Sequence, residues 1–283
     1  MSSDDKCQFR VSQKGDRSIN QDRCEIFEHG NIKVLVLADG MGGHPKGEVA
    51  AQLLVDTSYH MLNRSDPADF NAERYIREVL AISHQQIFRY GRKKKPPIYP
   101  RTTAVLVVIH DDMMTWSHMG DSRIYLFRHG RAQIRTMDHT RAEQLRLSGA
   151  IEDSDRQSIS AGRSGVSRCL GGKRRLHEID ITPPIRLQPD DIIMLCSDGV
   201  WSQLKEHNLE SIMLDDSQTL AERLTNLVQA AVDSRHPYSD NATAVALCWN
   251  HQDQPMPPPE KPDSINELDS ALDHLQSLIK QYQ

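Results

Sequence analysis

Five aspartates sit where strand-like runs begin or end, and their placement carries most of the chemical information in this chain. Asp39 is the clearest: it closes the run Ile32, Val34, Leu35, Val36, Leu37, Ala38 in the stretch NIKVLVLADGMGGHPKG, Asn31 to Gly47. An apolar run without polar alternation reads as a strand covered on both faces, and Asp39-Gly40 is its turn signal. Gly40, Gly42 and Gly43 let the backbone come close to whatever that carboxylate holds. Asp198 leaves a second run, Ile192 to Cys196, in the same way, through Ser197-Asp198-Gly199. Asp22, Asp121 and Asp240 stand just before their own strand-like segments. In antiparallel sheets with suitable pairing, the ends of outgoing strands and the starts of incoming ones share an edge, so all five carboxylates can gather there. Each could be an ordinary turn residue, but five in this arrangement argue for a site. Gathered like charges call for cations. With no cysteine or histidine at matching strand ends, the donor set is oxygen only, which suits magnesium or manganese better than zinc.

The elements that must position these residues follow from the hydrophobic pattern. A strand around Cys7 to Ser12 and another from Arg23 to Phe27 flank the polar loop Gly15 to Asp22, which places Arg17 and Asp22 near two strand ends. Ala50, Leu53, Leu54 and Met61 recur at helical spacing, as do Ile76, Val79, Leu80 and Ile87. The second helix runs into the basic, proline-rich segment Arg92 to Pro100, where cations suit a helix C-terminus and substrate docking is the alternative use. Thr103 to Ile109, Met113 to Met119 and Arg123 to Phe127 read as an antiparallel meander around Gly120-Asp121-Ser122. Asp138-His139-Thr140 supplies a helix start. The polar segment Glu152 to Arg175 reads as mobile, and a strand is expected near Glu178 to Ile181, before Pro183-Pro184. Leu220, Leu224, Leu227, Val228 and Ala231 mark a further helix, and Ala242 to Leu247 the last strand. Several doubly covered strands with amphipathic helices between them fit two packed sheets with helices outside, an α+β fold.

Composition removes several classes of function. A chain of 283 residues with 38% hydrophobic content suffices for one catalytic-sized domain and a tail. A net charge of -5 gives no footprint for nucleic acid, and no stretch is apolar for long enough to span a bilayer. The N-terminus MSSDDKCQFR lacks the apolar core of a secretory signal, so the expected location is the cytoplasm. Five cysteines, odd in number and without zinc spacing, read as reduced thiols.

Six motifs in order carry a family resemblance: Arg17 through Asp22, Asp39-Gly40-Met41-Gly42-Gly43-His44 with Gly47-Glu48, Gly120-Asp121-Ser122-Arg123, Asp138-His139-Thr140, Ser197-Asp198-Gly199 and Asp240-Asn241. From about residue 6 to 250 the chain resembles the metal-dependent (type 2C, PPM) serine/threonine protein phosphatases in their bacterial form. The resemblance implies a central antiparallel β-sandwich flanked by helices on both outer faces, with two metals in a cleft at one end. It makes Asp39 the bridging carboxylate, Gly40 a ligand through its carbonyl, and Asp198 and Asp240 ligands of one metal. Asp22 would act directly or through water. Asp121, with Asp198, matches the place of a third, weaker metal, and Arg17 the arginine that grips the substrate phosphate. The implied reaction is in-line attack on phosphorus by a metal-bridging hydroxide, with no covalent phosphoenzyme. Two positions depart from the pattern. Met41 replaces a histidine proposed as the acid in eukaryotic members, and Gln21 replaces a glutamate.

The expectation is therefore a phosphoserine/phosphothreonine phosphatase that acts on phosphoproteins, opposes a bacterial serine/threonine kinase and uses two Mn2+ or Mg2+ ions. Two alternatives stand beside it. One is a phosphoprotein-binding module of the same fold without turnover. The other is a cysteine-based phosphatase, because Cys169 to Arg175 has the cysteine, five residues, arginine spacing of a phosphate cradle. Beyond a catalytic domain at 1–250, Pro255, Pro257, Pro258, Pro259 and Pro262 read as a stiff linker over 251–263. Ser264 and Glu267 have capping-box spacing for a helix over 264–283, whose seam of Ile265, Leu268, Leu272, Leu275, Ile279 and Tyr282 would dock on its own domain, pair with a second copy or bind a partner helix.

Overall fold

Three separate hydrophobic clusters set the layering, and the alternation within single strands builds them. In the strand Ile32–Asp39 (β3), Val34, Val36 and Ala38 enter one cluster while Leu35 and Leu37 enter another. Ala104–His110 (β5) divides the same way, with Leu106 and Val108 on one face and Val105 and Val107 on the other. Ile192–Cys196 (β11) and Ala242–Cys248 (β12) share the middle cluster and supply a third. Both faces of each strand are thus dry, which is why the sequence shows continuous apolar runs there rather than alternation. The middle cluster lies between two sheets, and each outer one lies between a sheet and helices.

This computed structural model describes residues 7–149 and 165–249. The remaining strands are Gln8–Gln13 (β1), Asp22–His29 (β2), Arg101–Thr102 (β4), Met113–Met119 (β6), Arg123–Arg128 (β7), Arg131–Arg135 (β8), Leu170–Gly171 (β9) and Ile185–Arg186 (β10). One sheet has the order β1-β12-β11-β7-β8 and the other β10-β6-β5-β3-β2, with β4 and β9 forming a separate two-stranded ribbon. All the ladders are antiparallel. Helices Gly47–Asn63 (α1) and Ala72–Lys93 (α2) cover the second sheet. Arg141–Leu147 (α3) follows β8, with Thr140 as its cap. Asp198–Trp201 (α4), Glu206–Met213 (α5) and Leu220–Arg235 (α6) lie over the first sheet. The expected antiparallel sandwich with helices on both outer faces is the observed architecture.

Three expectations need correction. The meander is broken, because β5 and β6 pair but β7 belongs to the other sheet, between β11 and β8. Gly120, at φ +112°, makes the exit from β6, and a Cβ there would meet Thr103 Cγ2 at 2.6 Å. The turn at that glycine carries the chain across the sandwich. No strand forms at 178–181; Ile179 and Ile181 pack against the core, the Thr182 amide donates to the Trp116 carbonyl of β6 at 3.0 Å, and ladder pairing to β6 is limited to Ile185 and Arg186. Pro183 and Pro184 have no amide hydrogen to give a ladder. In the segment read as mobile, residues 152–164 lie outside the described residues, and Leu170 and Gly171 pair with Thr102 and Arg101. The linker and tail helix expected over 251–283 also lie outside them.

At the edge of the sandwich away from the aspartates, Arg128 donates to both oxygens of Asp191, from Nε at 2.7 Å and from Nη2 at 2.6 Å. The Asp191 side chain is 0% exposed and also accepts from the Gln188 amide. Removing one partner of such a pair strands the other charge out of water. Arg128→Leu should therefore cost about 3–5 kcal/mol in urea unfolding, while turnover of the folded fraction is retained.

Candidate active site

Register decides which side chains meet. Asp22 is paired directly with Asp39 across β2 and β3. In the other sheet Cys196 is level with Ala244 of β12 and Arg123 of β7. Asp198 lies two residues beyond Cys196, Asp240 two residues before β12, and Asp121 two before β7. All five aspartates therefore arrive at one edge of the sandwich. Asp39, Asp121, Asp198 and Asp240 line a single cavity of about 500 Å3 together with Gly40 and Arg17. Asp22 sits behind it, 2% exposed, and accepts from Ser197 Oγ at 2.8 Å.

The backbone at Asp39 is tied from several directions. Its amide donates to Thr103 Oγ1 and its carbonyl accepts from the Thr103 amide, both at 2.9 Å, and from Thr102 Oγ1 at 2.9 Å. Thr103 Oγ1 in turn lies 2.8 Å from Ser122 Oγ, next to Asp121. Gly40 allows the first turn of α1 to touch the end of β3, since a Cβ at Gly40 would fall 2.4 Å from the carbonyl carbon of Gly47. The glycine spacing in the sequence thus serves a backbone contact.

Arg17 reaches the site because its loop is pinned on both sides. Asn241 Nδ2 donates to the carbonyls of Lys14 and Ile19, and its Oδ1 accepts from the Gln21 amide at 2.8 Å. Asp16 accepts from Ser239 through both the amide and Oγ. The Arg17 guanidinium then donates to Asp240 Oδ2 at 2.6 Å.

Burial and mutual repulsion dominate the electrostatics. Loss of water raises Asp22 to about 7, with further repulsion from Asp198 and Asp240. Burial raises Asp121 to about 8, with Asp198 as the main repelling charge, and Asp198 itself to about 6. Asp39 is pushed well above the carboxylate range, by burial first and then by Asp22 and Asp198. Side chains alone leave this charge undercompensated. Among the described residues no three His, Cys, Asp or Glu side chains close into a ready metal cage. The donor set fits hard cations all the same, since it offers carboxylate oxygens with the Gly40 carbonyl and leaves room for water. The buried repulsion among the carboxylates is what such cations would relieve.

Several residues that matter here escaped the sequence reading. Arg101 lines the same cavity, and its strand β4 holds Met41 through an amide-to-carbonyl bond of 3.1 Å. A two-residue strand leaves no periodic signal. Asn241 and Ser197 were visible only as neighbours of aspartates. The cysteine alternative fails: Cys169 is buried, burial pushes its thiol up, and it does not line the cavity. A nucleophilic thiol needs the opposite shift.

A sequence profile described as Protein phosphatase 2C matches residues 11–240. The serine/threonine phosphatase Stp of Listeria monocytogenes is 26% identical over 245 residues, covering 85% of this chain and 94% of the relative. The crystal structure of the Mycobacterium tuberculosis serine/threonine phosphatase PstP superposes with a TM-score of 0.75 at 26% identity, covering 86% of this chain and 98% of that one. The PstP catalytic domain in complex with two manganese ions gives a TM-score of 0.72 at 25% identity, with 86% and 98% covered. A profile match over most of the chain, on a sandwich whose aspartates converge as described, places this protein in the protein phosphatase 2C family.

Proposed function

We propose that the protein hydrolyses phosphoserine and phosphothreonine in proteins with the help of two divalent cations. The observation that carries this reading is the shared cavity, in which a cluster of partly buried carboxylates faces the guanidinium of Arg17. Asp39, the Gly40 carbonyl, Asp198 and Asp240 would hold the ions, with Asp22 supporting them from behind and Asp121 beside a third position. Magnesium or manganese, when bound, supplies Lewis acidity that activates water and offsets the charge of the phosphoryl oxygens.

The chain's own contribution is positioning. Arg17 offers a planar fork of donors to two phosphate oxygens, and Asp240 keeps that fork aimed into the cleft. The Asn241 and Asp16 contacts fix the loop, so little conformational freedom is left to lose when phosphate arrives. Met41 has no proton to give, so the leaving alkoxide is protonated from solvent in this reading. The substrates would be phosphoproteins made by a cognate serine/threonine kinase, with the cytoplasm as the shared compartment.

Three measurements test this reading. Hydrolysis of a phosphothreonine peptide should require manganese or magnesium, stop in excess chelator, and fall in Asp39→Asn or Asp198→Asn by more than the about hundredfold typical of a supporting residue. Full turnover in chelator would end the two-cation mechanism. Arg17→Ala should raise KM for the peptide by about tenfold or more, the scale of charged hydrogen bonds lost, with the fold intact; an unchanged KM would place the phosphate elsewhere. The third measurement is thermal stability against pH in chelator. The raised carboxylates hold protons that the unfolded chain has released, so their stabilising contribution is full below the reference value of 3.8 and is lost as pH rises to about 8. The Tm of the chelated protein should therefore fall between about pH 5 and about pH 8, and manganese should restore more at the upper end. A flat profile would contradict the uncompensated carboxylate cluster.

A further inference from the structure

A second cavity, of about 690 Å3, lies at the C-terminal end of α2, and its lining consists of Gln85, Phe88, Arg89, Arg92, Lys93 and Arg174. All four cations are exposed, and no carboxylate lines the space. Among the described residues none of the four is in an ion pair. Phe88 gives the cavity an apolar wall, with the Arg92 guanidinium 5.9 Å from its ring centroid. In a chain of net charge -5 such a gathering of positive charge is a local reversal of sign.

The helix dipole accounts for cations on the last turn of α2 but not for Arg174, which comes from another segment. That segment is held in place by His84 of α2. The Gly171 amide donates to His84 Nδ1 at 3.1 Å, so the ring proton lies on Nε2, which is 3.3 Å from the Arg174 carbonyl. The same segment leads back to the cleft. Gly171 pairs with Arg101 across β9 and β4, and Gly172 packs against the Arg101 side chain, so closely that a Cβ there would stand 2.4 Å from Arg101 Nε. Arg101 lines the cavity of the carboxylate site. Arg101, Lys173 and Arg174 therefore form a path of positive charge from the cleft wall to the second cavity.

We propose that this path and the cavity at its end dock an acidic segment of the phosphoprotein substrate, on one side of the phosphorylated residue. The proposal rests on the phosphatase reading above and names its preferred substrate class. Carboxylates beside the phosphoresidue meet Arg101, Lys173 and Arg174, and those further along meet Arg89, Arg92 and Lys93. Attraction between exposed charges of this kind acts on encounter and is screened by salt.

The test compares two phosphothreonine peptides, one with a run of glutamates on one flank and one with glutamines in their place, alongside p-nitrophenyl phosphate. Each is measured for the full chain and for a variant carrying Arg89→Ser, Arg92→Ser, Lys93→Ser and Arg174→Ser. The full chain should show KM lower for the glutamate peptide by about tenfold, the sum expected from several exposed ion pairs, and about 0.5 M salt should abolish the difference. The variant should lose the discrimination and keep its rate on p-nitrophenyl phosphate. Equal KM values for both peptides in the full chain, or discrimination retained in the variant, would overturn the docking site and leave the phosphatase reading standing. Hydrolysis of p-nitrophenyl phosphate with neither peptide turned over would overturn the phosphoprotein reading itself. A single-stranded oligonucleotide that displaces the glutamate peptide at lower concentration than the peptide's own KM would show that the surface serves nucleic acid instead.

Discussion

Repulsion between carboxylates brought together out of water is the constraint on which this structure turns. Asp22 and Asp39 are directly paired across two strands, and Asp121, Asp198 and Asp240 come to the same edge from the facing sheet. Left to itself this cluster opposes folding, and the surrounding backbone resists its spreading. The hydroxyls of Thr102 and Thr103 fasten Asp39, Ser197 fastens Asp22, and Thr103 also meets Ser122. Two of these bonds, Ser197 to Asp22 and Thr103 to Ser122, cross from one sheet to the other. The edge of the sandwich that carries the charge is thus also one of the places where the two sheets are joined by polar contacts.

The rest of the architecture supplies the energy that the cluster consumes. Three apolar layers, each fed by alternate residues of the same strands, bury side chains on both faces of both sheets. Hydrophobic burial of this extent far outweighs the cost of a few desolvated carboxylates. Glycine makes the close approaches possible: Gly40 against Gly47 brings α1 up to the cleft, and Gly199 meets the Asn241 carbonyl at a distance no side chain would tolerate.

Much of this was legible in the sequence because strand ends are local signals. Apolar runs closing on Asp39 and Asp198, and runs opening after Asp22, Asp121 and Asp240, describe one edge of an antiparallel sandwich without any knowledge of pairing. What stayed hidden depends on partners distant in the chain. The transfer of β7 to the opposite sheet shows in its pairing with β11, a strand distant in the chain, not in anything periodic in residues 113–127. The ribbon of β4 and β9 joins residues about seventy apart through two residues on each side, so Arg101 looked like the edge of a proline-rich loop. The misplaced strand at 178–181 shows the converse: Ile179 and Ile181 have the right apolar character and pack against the core, but the prolines at 183 and 184 have no amides with which to extend the single Thr182 contact into a ladder.

The bond between Arg17 and Asp240 has one more consequence. The guanidinium stays open to solvent, its side chain 55% exposed, yet a carboxylate stands 2.6 Å away. If Arg17 grips phosphate as proposed, an incoming phosphate monoester would therefore be held by the difference between two attractions rather than by the whole of one. The same difference would apply to the inorganic phosphate left after hydrolysis. A resting partner for this arginine would thus keep the cleft from being clogged by its own product and favour turnover over retention.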